Sequence, residues 1–170
     1  MADEVSARPS FCQYCGTRFS DSSRGPHLEC ESCARITYRN PAAGVAVILI
    51  DNGRVLLGRR GRGPWAGMWC IPCGYVEWDE DLRDTARREV LEETGLEVEV
   101  GEVYAVHSNF HDREKQTVGI WFRGTIRGGT LQAGDDISEV GFFAFDELPE
   151  LAFPTDEIVL HSLRDTKNGE

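Results

Sequence analysis

The sequence has no run of 18 apolar residues, and its longest candidate, Ala42 to Ile50, is the length of a strand, so no membrane-spanning helix is expected. It also lacks an excess of positive charge: 18 Lys and Arg stand against 29 Asp and Glu, a formal net charge of −11. Phosphate backbones are gripped by Lys and Arg, so this balance argues against duplex DNA or RNA as a partner. The opening residues, MADEVSARPS, carry neither the basic stretch nor the apolar core of a secretory signal, and a cytoplasmic protein is expected. What is present is ordinary for a globular chain, with 41% apolar and 28% charged residues. At 170 residues it has room for one compact domain and a small appendage.

The charge is uneven. Residues 1–40 hold five basic and five acidic residues, so all of the net charge lies downstream. Between Glu77 and Glu99 ten carboxylates face three arginines. Such a block is either a solvated face or a place that holds divalent cations, and spacing decides between them.

Six cysteines in a chain with no export signal point to metal or catalysis before disulfides. They form three C-x2-C pairs, and the first two, Cys12/Cys15 and Cys30/Cys33, are separated by fourteen residues. Two such turns facing each other make a tetrahedral four-sulfur site, which Zn²⁺ prefers and which holds together a segment too small for its own core. Residues 11–39 therefore read as a zinc ribbon with Cys12, Cys15, Cys30 and Cys33 as ligands, after a flexible tail over 1–10. Cys70/Cys73, far along the chain, reads as small residues packed near a turn, with a redox-sensitive pair or a further metal site as the alternative.

Asn40-Pro41 marks the next boundary. Ala43 to Ile50 reads as a buried strand, Asp51-Asn52-Gly53 as a hairpin turn and Val55 to Leu57 as the returning strand. Arg59, Arg60 and Arg62 read as a basic loop, either solvated or facing the phosphate of an anionic ligand. Further on, a long polar loop around His107–Asp112, a strand over Thr117 to Ile126, a turn at Arg127–Thr130, a strand over Val140 to Phe145 and a closing helix over Thr155 to Arg164 are expected, with a flexible tail over 167–170.

Asp81 to Thr94 reads as a helix ended by Gly95 in the C′ position. Leu82, Ala86 and Val90 form its apolar stripe. With Leu82 as zero, Glu89 falls at about −20°, Glu93 at about +20° and Glu92 at about −80°. These carboxylates lie along the edge of the core-facing side, where bare charge is costly unless paired or bound to metal. Arg88 is adjacent and can orient one of them.

From Gly74 to Leu96 the chain reads GYVEWDEDLRDTARREVLEETGL, a full match to G-x5-E-x7-R-E-U-x-E-E-x-G-U, where U is aliphatic. On these nine constrained positions the chain resembles the Nudix hydrolases. The resemblance implies an α/β fold, an α/β/α sandwich around a mixed β-sheet, here spanning residues 40–166 behind the ribbon. It also implies that Glu89, Glu92 and Glu93 bind Mg²⁺ or Mn²⁺ with the backbone carbonyl of Gly74. Arg88 would orient a glutamate, and Glu80 would hold the loop against the helix. The general base of such an enzyme lies in the box helix, where Glu89 is the candidate, or on a later loop, where Glu114 and Glu139 are. The box helix is preferred.

An N-terminal four-cysteine ribbon with this box resembles two subgroups: NADH pyrophosphatases, which also remove NAD caps from RNA, and FAD or ADP-ribose pyrophosphatases of the plastid type. The S-Q-P-W-P-F-P-x-S stretch of the first is absent after this box. Phe11-Cys12-Gln13-Tyr14-Cys15-Gly16, Tyr38-Arg39-Asn40-Pro41 and Phe145-Asp146-Glu147-Leu148-Pro149 resemble the second. Cys73 stands where the family usually has glycine or alanine. The expected activity is metal-dependent hydrolysis of the pyrophosphate bond of ADP-ribose or FAD, releasing AMP. The expected partner is a small dinucleotide or nucleotide-sugar. The alternatives are NADH pyrophosphatase or NAD-cap removal, and a non-catalytic ligand sensor with a nucleic-acid-binding ribbon; the ribbon can also serve to build a homodimer. Trp65, Trp69, Tyr75, Trp78, Phe110 and Trp121 are candidates for stacking on a base or flavin, with core packing the commoner role and Trp78 and Phe110 the best exceptions.

Overall fold

A computed structural model describes residues 9–20, 27–38, 40–112 and 115–168, without the side chains of 166–168. The chain divides into two compact units, one of residues 1–41 with 112–115, the other of 42–111 with 116–170. No helix among the described residues is long and apolar enough to cross a membrane.

The first unit is built from two copies of one turn. In each, the first cysteine's N–H reaches the carbonyl five residues on (Cys12 to Thr17 at 2.8 Å, Cys30 to Arg35 at 2.9 Å). Its own carbonyl accepts from the residue after the second cysteine, from Gly16 at 2.9 Å and from Ala34 at 2.8 Å. That closing residue has positive φ in both copies, +74° at Gly16 and +55° at Ala34. Glycine takes this conformation freely and alanine does not. Strands β1 (His27–Glu29) and β2 (Ile36–Tyr38) form an antiparallel hairpin around the second turn. Among the described residues of this unit few are buried: Cys12, Leu28, Cys30 and Thr37.

The second unit is a mixed sheet with a helix on each face. Strands β3 (Ala42–Asp51), β4 (Arg54–Arg60) and β5 (Trp69–Cys70) are followed by β6 (Cys73–Tyr75) and helix α1 (Leu82–Thr94). Then come β7 (Leu96–Asn109), β8 (Thr117–Gly129), β9 (Ile137–Phe143) and helix α2 (Pro154–Asn168). The order is β5-β4-β3-β8-β7, with β6 on β3 and β9 on β4; the β3–β8 pair is parallel and the rest antiparallel. Asn52 and Gly53 both have positive φ at the β3–β4 turn, the geometry of a tight hairpin.

The two-residue period of β3 sorts the core. Val45, Val47 and Leu49 pack with Leu56, Phe122 and, on α1, Ala86 and Val90. Ala46 and Ile48 point the other way, to Val55, Leu57, Trp121 and, on α2, Val159, Leu160 and Leu163. The sheet is thus buried on both faces, the α/β/α sandwich expected of the fold class.

Several local expectations are corrected. Arg59 and Arg60 belong to β4 and not to a loop, because their backbone pairs with β5 and β9. The polar segment at His107 continues β7 to Asn109, since its register with β8 holds through Asn109↔Thr117. Arg127 to Gly129 likewise extends β8 and is not a turn. The long β7–β8 ladder carries polar residues at one edge of the sheet, where burial gives no alternating signal to read. The final helix begins at Pro154, a residue before the expected start, and runs to Asn168.

Candidate active site and cysteine cluster

Helix α1 is set by its ends. Asp81 caps its start, accepting from the Arg83 N–H at 2.9 Å, and Gly95 ends it at φ +70°, its N–H on Leu91 O. The carbonyls of Glu93, Thr94 and Gly95, left without helical partners, accept from Gly134, Gln132 and Thr130. The loop before β9 is thereby laid across the end of α1.

The box carboxylates lie in three environments on one helix face, as the periodicity implied. Glu93 is buried and accepts from the Cys73 N–H at 2.9 Å; no cation among the described residues lies within ion-pair distance of it. Glu89 is partly buried and Glu92 exposed. Arg88 binds both, Glu89 at 2.8 Å and Glu92 at 3.1 Å. It also grips Glu80 with two nitrogens, Nε at 2.8 Å and Nη2 at 2.9 Å, and touches the Tyr75 carbonyl. Glu80 in turn accepts from the Glu77 N–H at 3.2 Å, which ties the loop before α1 to the helix. Gly74, paired with Val45 in the β3–β6 ladder, sits against Glu89: a Cβ on it would fall within the Glu89 carboxylate. No other residue type leaves that space.

The electrostatics follow the same division. The hydrogen bonds from Arg88 hold the Glu80 carboxyl at about 2. Burial raises Glu89 against the pull of Arg88. Burial raises Glu93 well above the ordinary carboxylate range, and the nearby Cys70, Asp136 and Glu89 push the same way. Buried carboxylates of this kind call for a cation, and their oxygens are the hard donors that Mg²⁺ and Mn²⁺ accept.

The other candidates fall elsewhere. Glu139 stands on β9 opposite Arg59 and pairs with it at 3.5 Å, both largely exposed. Glu114 lies outside the described residues. The three arginines of the presumed basic loop are each matched to the segment before or within β9: Arg59 to Glu139, Arg60 to Asp136 at 3.0 Å and Arg62 to Asp135 at 3.1 Å. The Arg60–Asp136 pair is mostly buried. Nothing in the spacing of residues 60 and 136 announced it; only the β4–β9 register brings them together. Asp156 was equally unmarked. Its carboxylate is buried at the start of α2, accepting from the Ile71 N–H and the Trp121 indole, each at 3.0 Å. Of the aromatic candidates, Trp121 is core, Trp69 packs edge-on to Phe143 at 4.7 Å, and Trp78 and Phe110 are exposed.

In the first unit the sulfurs of Cys12, Cys15, Cys30 and Cys33 all lie within 4.8 Å of one another. Cys12–Cys33 is 3.8 Å and Cys15–Cys30 3.5 Å. A Zn–S bond of about 2.3 Å in a tetrahedron requires sulfur separations of about 3.8 Å. The donor set therefore fits Zn²⁺ in both kind and size.

A family model described as the NUDIX domain matches residues 39–163. The chain belongs to the Nudix family. An ADP-ribose pyrophosphatase of Methanocaldococcus jannaschii is 36% identical over 133 residues, 78% of each chain. The NAD-capped RNA hydrolase NudC of Chromobacterium violaceum is 28% identical over 145 residues, 85% of this chain and 53% of that one. The chain thus spans most of the archaeal relative and about half of the NudC relative. Among solved structures, a Nudix hydrolase from Nitrosomonas europaea has a TM-score of 0.76 at 32% identity, covering 89% of this chain and 88% of its own. The chain is a Nudix pyrophosphohydrolase, and its reaction class is cleavage of a pyrophosphate bond in a nucleotide derivative.

Proposed function

We propose that this Nudix hydrolase cleaves ADP-ribose with a divalent metal, adding water across the P–O–P bond to give AMP and ribose 5-phosphate. The observation that carries the reading is the environment of Glu93: a buried carboxylate with no cation beside it among the described residues, next to a second carboxylate raised by burial. Likeness to the archaeal ADP-ribose pyrophosphatase supports the substrate. FAD has the same adenylate half and is the second substrate of the reading.

In this reading Glu89, Glu92 and Glu93, with the Gly74 carbonyl, hold Mg²⁺ or Mn²⁺. When bound, such ions neutralise charge on the diphosphate oxygens and acidify a bound water. The protein's own part is positional. Arg88 fixes the Glu89 and Glu92 carboxylates, while Glu80 fixes Arg88 through its two-point grip. Glu89 is our candidate for the acceptor of the water's proton. Glu139 and Glu114 are the competing bases, and loss of about 10² or more in turnover on Glu139→Gln or Glu114→Gln would move the role to them. Cys12, Cys15, Cys30 and Cys33 hold a structural Zn²⁺ in the first unit.

The test is product chromatography after incubation with Mg²⁺ and, separately, ADP-ribose, FAD, NADH and dGTP, with Glu93→Gln as the blank. Gln keeps an acceptor for the Cys73 N–H while losing the charge. AMP from ADP-ribose or FAD that is absent with Glu93→Gln is expected. AMP chiefly from NADH transfers the assignment to the NADH and NAD-cap group, and no product from any of the four defeats it.

A further inference from the structure

Three rings from separate parts of the second unit meet beside Arg60. Trp65, in the β4–β5 loop, stands edge-on to His111 at 5.5 Å and to Phe153 at 5.4 Å. His111 and Phe153 lie 30° from parallel at 5.1 Å. The Arg60 guanidinium sits 5.5 Å over the Phe153 ring while it pairs with Asp136. His111 is exposed and Trp65 is half-buried, so the corner they form opens to solvent.

The chain trace holds this corner beside the box carboxylates. Trp65 and Phe153 pack against the cluster containing Cys70 and Cys73. The Cys73 N–H is bonded to Glu93 at 2.9 Å. The Cys70–Cys73 turn therefore links the cluster behind the aromatic corner to the buried carboxylate.

We infer that Trp65 and His111 form the seat of the nucleobase, with Phe153 backing them. Two rings near a right angle receive a flat heteroaromatic ring by its face on one wall and by its edge on the other, which a sugar cannot reproduce. This assignment rests on the reading above and adds which half of the substrate is recognised. Phe110, at the exposed end of the same segment, is not needed.

The experiment is equilibrium binding of AMP and of ribose 5-phosphate to the Mg²⁺-loaded protein by calorimetry; the base and its ribose linkage are what distinguishes the two probes. AMP is expected to bind more tightly. Trp65→Ala and His111→Ala are each expected to weaken AMP by about 5- to 150-fold, the range for loss of one base–aromatic stack, and to leave ribose 5-phosphate unchanged. Trp65→Phe is expected to keep most of the preference. His111→Ala, at an exposed ring, guards against a folding defect at Trp65. Equal affinity of the two probes for the wild type, undetectable AMP binding, or equal losses for both probes in the variants overturns the seat. Preference for AMP without turnover of ADP-ribose overturns the functional reading and leaves the seat standing, while turnover without the preference does the reverse.

Discussion

The ribbon and the sandwich obtain their structure from different sources. Among the described residues of the first unit a handful of side chains are buried, and two of them are cysteines whose sulfurs converge. In the second, both faces of β3 are covered, and Phe122, Leu49, Leu56, Leu57 and Leu160 are fully buried. A short segment cannot offset its chain entropy by burying so little apolar surface, so on the proposed zinc site it would depend on ligand bonds. The same C-x2-C spacing serves both units in opposite ways. Cys12/Cys15 and Cys30/Cys33 point their sulfurs at one another, whereas Cys70/Cys73 lie within an apolar cluster, and no further cysteine or histidine joins them among the described residues. There the small side chains let the β5–β6 turn pass close under α1, and the Cys73 N–H reaches Glu93.

That contrast can be broken at the metal first. A strong zinc chelator is expected to remove the fold of the ribbon entirely, because structural zinc contributes on the order of 10 kcal/mol to such segments. The sandwich is expected to keep its melting transition. Thiol counting on the chelated protein should find four reactive groups, with Cys70 and Cys73 reacting only after denaturant is added. Six reactive thiols without denaturant would make the sandwich dependent on the ribbon.

Cutting the core gives the converse. Phe122→Ala is expected to cost the sandwich about 3–5 kcal/mol in denaturant titration while the four ribbon thiols stay protected. A smaller effect concerns Asp156. Burial raises its carboxyl to about 7 against an ordinary 3.8, so the folded protein holds its proton more tightly than the unfolded chain does between those values. Stability is therefore expected to rise as pH falls from 8 towards 5.5, by at most about 2 kcal/mol, and Asp156→Asn should flatten that slope. The smallest change is within the ribbon's repeat. Ala34→Gly relieves a positive φ that Gly16 already tolerates, and it is expected to slow zinc loss modestly, by an equivalent of about 0.5–1 kcal/mol. Gly16→Ala should speed it.

Much of the site was legible in one dimension. Glu80, Arg88, Glu89, Glu92 and Glu93 lie within a loop and a helix, where 3.6 residues per turn converts spacing directly into a shared face. The burial of Glu93 follows from the same arithmetic, whereas Glu92, read with it at the edge of the core-facing side, is exposed because its offset of about −80° carries it past the sheet. The four ribbon cysteines are readable for a similar reason, since each pair is local and the ligand chemistry is particular to sulfur. Illegible were the contacts made by register. Arg60 and Asp136 are 76 residues apart and meet because β4 pairs with β9. Arg59 and Arg60 read as a loop because charged residues at a strand end lack an alternating pattern, and His107 read likewise at the far end of β7.

Composition, local periodicity and short-range motifs determined the family, the helix that carries the carboxylates and the sulfur cluster, since each depends on residues within a few turns of one another. Tertiary structure alone decided which arginine is matched to which acid and how the Cys70–Cys73 turn meets Glu93. It also brought Trp65, His111 and Phe153 into one corner. Those arrangements come from strand pairing across the sheet, and hydrogen-bond register between distant segments leaves no mark in either sequence taken singly.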